Sequence, residues 1–305
     1  MRIFSFVLIA ALLPMGSGAR VLNGIVVPLK PPIAQTGIVG RASCEGATWL
    51  LNQSAELIQL PRGSDRPRVR QVRDFREGDR LSGLACLADG SLWTLQGGHV
   101  LARLTPDGSV AERHAFLFPQ VQLFGVSERL IFLGLPIVAN RPLFAASRRD
   151  RPERVEAWSG LTARSNIAAV SSLIANLAAC GIGVQGRLPC WFADHDDLTI
   201  SDGALSHTVS LPSLRKPDID QLAPIRDAAL LDEGGLWVLA ASSALESGRR
   251  VGGRLIRTDA AGVEQRSLTL PTAARLITWA DADGCVLLTV SGDLIVVRDT
   301  PGRNR

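Results

Sequence analysis

One short pattern recurs along this 305-residue chain: an apolar run, an acidic residue beside glycine, then a second apolar run carrying a large side chain. Glu45-Gly46-Ala47-Thr48-Trp49, Asp89-Gly90-Ser91-Leu92-Trp93 and Glu233-Gly234-Gly235-Leu236-Trp237 are the clearest copies. Glu128-Arg129-Leu130-Ile131-Phe132 is a weaker third copy, Gln185-Gly186 with Trp191 a stretched fourth, and Asp283-Gly284-Cys285-Val286-Leu287 the sixth. With anchors at 49, 93, 132, 191, 237 and 287, the spacings are 44, 39, 59, 46 and 50 residues. Self-similarity at such a period marks units that cannot bury their faces alone and must stack on their neighbours.

Each copy carries the signals of a small antiparallel sheet. Asp-Gly and its relatives supply the positive φ of a tight hairpin, so the runs on either side pair as strands. In the second copy, residues 100–104, the Pro106-Asp107-Gly108 turn and residues 110–115 add a third strand, a turn and a polar outer strand. In the fifth, residues 254–258, 260–262 and 263–270 do the same. Four strands per 40–50 residues is the signature of a propeller blade, with the large aromatic packed between blades. The reading is therefore an all-β, six-bladed propeller. A β-sandwich pair and a β-helix are the alternatives, and the long, uneven period speaks against the β-helix. The sixth copy provides only three strands, 275–280, 286–290 and 294–298, before the chain ends. Residues 21–29 could supply the fourth, joining both ends of the propeller in one sheet and removing an exposed edge.

Ahead of the repeats, Met1-Arg2-Ile3 precedes an apolar run over residues 4–13 and the small-residue stretch Ser17-Gly18-Ala19. That order reads as a signal peptide, residues 1–19, cleaved before Arg20 and leaving a single propeller domain over 20–305. The run is shorter than the ~20 residues a membrane-spanning helix needs. An exported protein, periplasmic or extracellular, is the expectation, and export makes disulfides allowable. Cys180 and Cys190 flank the Gln185-Gly186 turn and lie within disulfide reach if their strands pair in register. Cys44 and Cys86 fall near the ends of successive innermost strands, where a bridge between blades is a further option. Cys285 reads as the unpaired fifth, a small buried hydrophobe.

The charge balance excludes one class of partner. Lys and Arg total 33 against 29 Asp and Glu, for a net charge of +4. The basic residues are scattered through polar turns and Tyr is absent, so the basic stripe of a nucleic-acid surface is missing. A monomer that binds a small molecule or an exported protein is the expectation.

In a propeller, the loops between second and third strands and those between blades open on one end, which commonly hosts ligands. His99, Arg141, Arg249 and Arg250 map there, together with Asp194, His195 and Asp196. Carboxylates bind hard cations and His exchanges protons, yet neighbouring strand residues point oppositely and do not readily converge on one ion. Residues 161–177 carry Ile167, Val170, Ile174 and Leu177 at helical spacing, a short helix that would lie over the rim. Nucleophile elbows, P-loops, dinucleotide fingerprints and paired zinc spacings are absent from the sequence.

The stretches Asp-Ala-Ala-Leu-Leu-Asp-Glu-Gly-Gly-Leu-Trp at 227–237 and Leu-Ala-Asp-Gly-Ser-Leu-Trp at 87–93 resemble six-bladed propellers of the gluconolactonase/NHL-like group. The resemblance implies a divalent ion held in part by a Glu four residues before a Trp, the spacing of Glu45 and Trp49. Asp227 stands near a second ligand segment of that group, though Pro224-Ile225-Arg226 replaces its surroundings, and the repeat alignment puts Glu45 on the opposite end. The leading expectation is a ligand- or protein-binding platform without a cofactor. The alternative is a divalent-metal lactonase or hydrolase, with Ca2+ the ion it would add.

Overall fold

The computed structural model describes residues 20–29, 33, 37–44, 46–75, 80–115, 120–134, 144–148, 150–157, 179–191, 197–202, 205–211, 214, 225–240, 245–246, 249–250 and 253–301. These build six four-stranded antiparallel sheets in a ring, a six-bladed β-propeller. The first strand to appear is β1 (Arg20–Val27). Blade 1 then follows as β2 (Ile38–Cys44), β3 (Ala47–Asn52), β4 (Glu56–Pro61) and β5 (Arg68–Gln71). Blade 2 is β6 (Leu81–Cys86), β7 (Leu92–Gln96), β8 (Val100–Leu104) and β9 (Val110–Ala115). Blade 3 is β10 (Gln120–Val126), β11 (Arg129–Gly134), β12 (Phe144–Arg148) and β13 (Arg151–Ala157). Blade 4 is β14 (Ala179–Cys180), β15 (Leu188–Trp191), β16 (Asp197–Ser201) and β17 (Ser206–Ser210).

Blade 5 opens with β18 (Ile225–Leu230) and β19 (Leu236–Ala240). A two-stranded hairpin, β20 (Leu245–Glu246) with β21 (Arg249–Arg250), is inserted before β22 (Arg254–Thr258) and β23 (Glu264–Thr269) complete the blade. Blade 6 has β24 (Ala274–Asp281), β25 (Gly284–Thr289) and β26 (Leu294–Pro301). Its fourth strand is β1, paired with β26 from Arg20↔Pro301 to Val27↔Leu294.

Local chemistry places the hairpins where the repeat puts them. Gly90 sits at φ +78°, and the Asp89 carboxylate accepts from the Ser91 amide and hydroxyl, so residues 87–91 turn back tightly. Gln185 and Gly186 both have positive φ, 50° and 78°, between Val184 and Arg187, which bond to each other in both directions. Two consecutive positive φ values are the two-residue turn whose twist matches paired strands. Burial then follows position in the blade. Strands β3 and β19 are buried at every residue, because a neighbouring sheet covers each face. Strands β9 and β23 alternate between half-buried and exposed residues, as outer strands with one wet face do.

The core is a series of apolar clusters between neighbouring blades. Trp49 of blade 1 packs with Leu84, Cys86 and Leu92 of blade 2. Trp93 packs with Leu123 and Leu130 of blade 3. Trp191 of blade 4 packs with Leu230, Val238 and Ile256 of blade 5, and Trp237 with Ile277, Cys285, Leu287 and Ile295 of blade 6. The strand register shifts three of the six anchors. Trp49 lies two residues past the hairpin pair Cys44↔Ala47. In blade 4 the pair Val184↔Arg187 puts Pro189 in the place given to Trp191, which lies two residues further on the same face. The matching pairs Val126↔Arg129 and Asp281↔Gly284 put Ile131 and Val286, not Phe132 and Leu287, in that place. Packing agrees. Leu130 belongs to the cluster shared with blade 2 and Leu287 to that shared with blade 5, so Ile131 and Val286 point forward. A one-residue slip in phase exchanges the two faces of a strand.

Two disulfides brace the ring. Cys180 and Cys190 are direct cross-strand partners and are bonded. Cys44 and Cys86, with Cα atoms 6.0 Å apart, join blade 1 to blade 2. Cys285 is free and wholly buried.

Candidate binding site

Of the residues singled out from sequence, Arg141, Asp194, His195, Asp196 and Glu45 lie outside the described residues, as does the segment 161–177. His99 is exposed in the turn between β7 and β8. Arg249 and Arg250 form β21, in the connection between the second and third main strands of blade 5. His99 and β21 thus belong to the same end of the propeller but to different blades.

Asp227 is a buried member of the innermost strand of blade 5. Arg41, on the innermost strand of blade 1, donates through Nη1 and Nη2 to its two carboxylate oxygens, the Nη2 bond being 3.0 Å. The amide of Ile277 in blade 6 donates to the same carboxylate at 2.6 Å, and the Ala228 amide at 2.9 Å. Arg41 Nη1 also donates to the Ile277 carbonyl at 2.7 Å. One buried carboxylate therefore ties three blades, with donors on both of its oxygens. Burial pushes the Asp227 carboxyl above its ordinary pKa, and the Arg41 charge and the amide bonds pull against that rise. Nothing in the sequence pairs residues 186 positions apart; only the return of the ring brings them together. Among the described residues, no group of three or more His, Cys, Asp or Glu is placed to hold a metal ion.

A cavity of about 640 Å3 lies between blade 6 and blade 1. It sits at the end of the propeller carrying the first-to-second and third-to-fourth strand turns, opposite the end that sequence reasoning favoured. Its walls include Val27, Leu60, Val286 and Val296, with Gly46 and Gly63 in turns beside it. Polar ties cross this seam. The Thr48 hydroxyl donates to the Thr278 carbonyl, and Arg62 bonds Asp281 at 2.9 Å while its guanidinium lies 3.9 Å from the Trp279 ring centre. A bulge between Ile277 and Trp279 breaks the alternation of β24 there. Thr278 and Trp279 are thereby both directed to the blade 1 side, a change of phase that allows consecutive residues to line one wall.

A second opening, about 430 Å3, lies at the same end between blades 2 and 3, beside Trp93. Its lining is charged apart from Trp93: Arg103 pairs with Glu112 at 3.2 Å and Arg148 with Asp150 at 3.1 Å, and Glu128 adds a third carboxylate. The blade 6 to blade 1 cavity differs in having apolar walls and charges gathered at its mouth, the arrangement of a ligand pocket of ordinary size, roughly 300–1,000 Å3.

The fold defines a six-bladed β-propeller of widely shared architecture. The chain is similar to a protein of Bacteroides fragilis described as exported, with TM-score 0.59, 9% identity, and coverage of 92% of this chain and 96% of that one. It is similar to YCF48 from Cyanidioschyzon merolae, with TM-score 0.52, 12% identity, and coverage of 90% and 98%. It is also similar to a catalytically inactive virginiamycin B lyase from Staphylococcus aureus with quinupristin, with TM-score 0.52, 12% identity, and coverage of 91% and 99%. At such identities the likeness is one of fold. No family model and no curated protein matches the sequence. The gluconolactonase/NHL-like resemblance stays one of sequence motifs.

Proposed function

We propose that the protein is an exported binding platform whose partner is a polypeptide. The observation that carries this reading is the cavity between blades 6 and 1: apolar walls, a charged mouth and an opening at one end of the ring. Such a site fits a side chain presented from a partner's surface, where a few desolvated anchors dominate binding. Two disulfides support an oxidising destination, as does the fold likeness to a protein described as exported. Among the described residues no helix is long and apolar enough to cross a membrane. The metal-hydrolase alternative gains little from Asp227, whose oxygens already accept from Arg41 and two amides.

The test is selection of a displayed random-peptide library on the purified protein, with lactone and ester turnover followed in parallel with and without Ca2+. Enriched peptides that compete with one another, with no turnover, are the expected result. Ca2+-stimulated turnover without peptide enrichment would overturn the reading. Export is checked separately by the mass of the secreted chain, expected to begin at Arg20.

A further inference from the structure

The cavity between blades 6 and 1 has a specific origin. In blades 1, 2 and 5 the forward-facing residue two past the hairpin pair is a Trp that packs against the next blade, Trp49, Trp93 and Trp237, and blade 4 carries Trp191 two residues further along the same face. All four are at most 5% exposed. In blade 6 the residue in that register is Val286, and Val286 lines the cavity. Blade 3 has Ile131 in that register, and in blade 6 the absence of an indole leaves a void set by the same backbone geometry that holds indoles in blades 1, 2 and 5.

The void has walls suited to the group it lacks. Leu60, Val296 and Val286 supply aliphatic surface, and Trp279 adds an aromatic face. Elsewhere in this ring two buried indoles find carbonyl acceptors on the following blade: Trp237 Nε1 donates to the Asp281 carbonyl and Trp191 Nε1 to the Ile225 carbonyl. At the mouth, the carboxylates Asp65, Asp281 and Asp283 outnumber the guanidinium groups Arg62 and Arg298. Arg62 is itself engaged by Asp281 and by the Trp279 ring. The mouth thus favours positive charge next to the buried group.

From this we infer that the cavity binds an aromatic side chain, Trp by preference, presented by a partner polypeptide with a basic residue beside it. The partner completes the seam from outside as the chain's own Trp residues complete those after blades 1, 2 and 5. This inference rests on the binding-platform reading and names the chemistry of its partner.

The probe is the tripeptide Lys-Trp-Lys carrying 5-fluorotryptophan, followed by fluorine NMR against the full chain. Lys-Ala-Lys and Glu-Trp-Glu serve as competitors. The expected results are saturable binding of the fluorinated peptide, weaker competition by Glu-Trp-Glu and none by Lys-Ala-Lys. Val286→Trp fills the site from within and should weaken binding by about tenfold or more, the effect of losing an anchor pocket. Val286→Phe gives the same reading should the larger substitution not fold. The surface pair Asp65→Asn with Asp283→Asn should weaken binding about two- to fivefold, as for exposed charge pairs. No binding of the fluorinated peptide, displacement by Lys-Ala-Lys, or binding unchanged in the Val286 variants would each overturn the inference. The two readings fail separately. Library peptides that bind regardless of Val286 leave the platform standing and remove this pocket from it, whereas a library without binders removes both.

Discussion

The seam between blades 5 and 6 and the seam between blades 6 and 1 solve one problem in two ways. At the first, Trp237 is completely buried, packs among Ile277, Cys285, Leu287 and Ile295, and bonds the Asp281 carbonyl at 2.9 Å. At the second, Val286 replaces the indole, and the sheets are tied by directed polar contacts from Arg41, Thr48 and Arg62. Apolar burial is strong but has no direction, whereas hydrogen bonds fix position and leave room between them. A seam held by the second means can keep a cavity and still hold its register.

The largest effects should come from the polar ties. Arg41→Ala leaves the Asp227 carboxylate buried without its partner, which costs about 3–5 kcal/mol. Chemical denaturation of that variant measures the loss, and replacement of both residues by Met and Leu should recover much of it. A loss under ~1 kcal/mol for Arg41→Ala would break the contrast between the seams, since surface-like ion pairs are worth no more than that. Trp237→Ala should cost a similar amount, about 3–5 kcal/mol, as large core truncations do. The opposite substitution, Val286→Trp, should instead be neutral or raise stability by about 1 kcal/mol through cavity filling. If Val286→Trp were as damaging as Trp237→Ala, the two seams would not be equivalent in geometry.

The disulfides grade the comparison further. The Cys44–Cys86 bridge encloses a sequence separation of 42 and should contribute about 4 kcal/mol on chain-entropy grounds. Cys180–Cys190 encloses 10 and should contribute about 2.7 kcal/mol. Paired Cys→Ser variants, compared by thermal melting, test that order. The smallest effect concerns Cys285. Burial, and then the charge of Asp281, push its thiol far above the ordinary value. No thiol should react with a maleimide in the native protein at neutral pH, and one should react after denaturation without reductant.

Much of the fold was written in the repeat because turns and alternation are local. Gly90 and Gln185-Gly186 mark hairpins by backbone conformation alone, and Cys180 faces Cys190 because that turn sets their register. The phase of blades 3 and 6 was not legible in the same way. Without a Trp to fix the face, Phe132 and Leu287 offered themselves as the large residues, and only strand register shows that Ile131 and Val286 occupy the place. The Arg41–Asp227 tie and the cavity depend on which blades become neighbours when the ring returns on itself, so no local spacing encodes them. Charge density at Asp194–Asp197 and His99 points to one end of the propeller, while the described openings lie at the other.

The pairing of β1 with β26 also sets a timetable. Arg20 cannot meet Pro301 until every blade between them has been made, so the last blade closes after the other five. Until then β1 is an unpartnered strand containing Val21, Leu22, Ile25, Val26 and Val27. Contacts between distant parts of a chain form slowly and leave sticky segments waiting. A growing chain of this kind leaves its first strand open to its neighbours while the intervening blades are made, and the efficiency of its production should depend on whatever shields that strand.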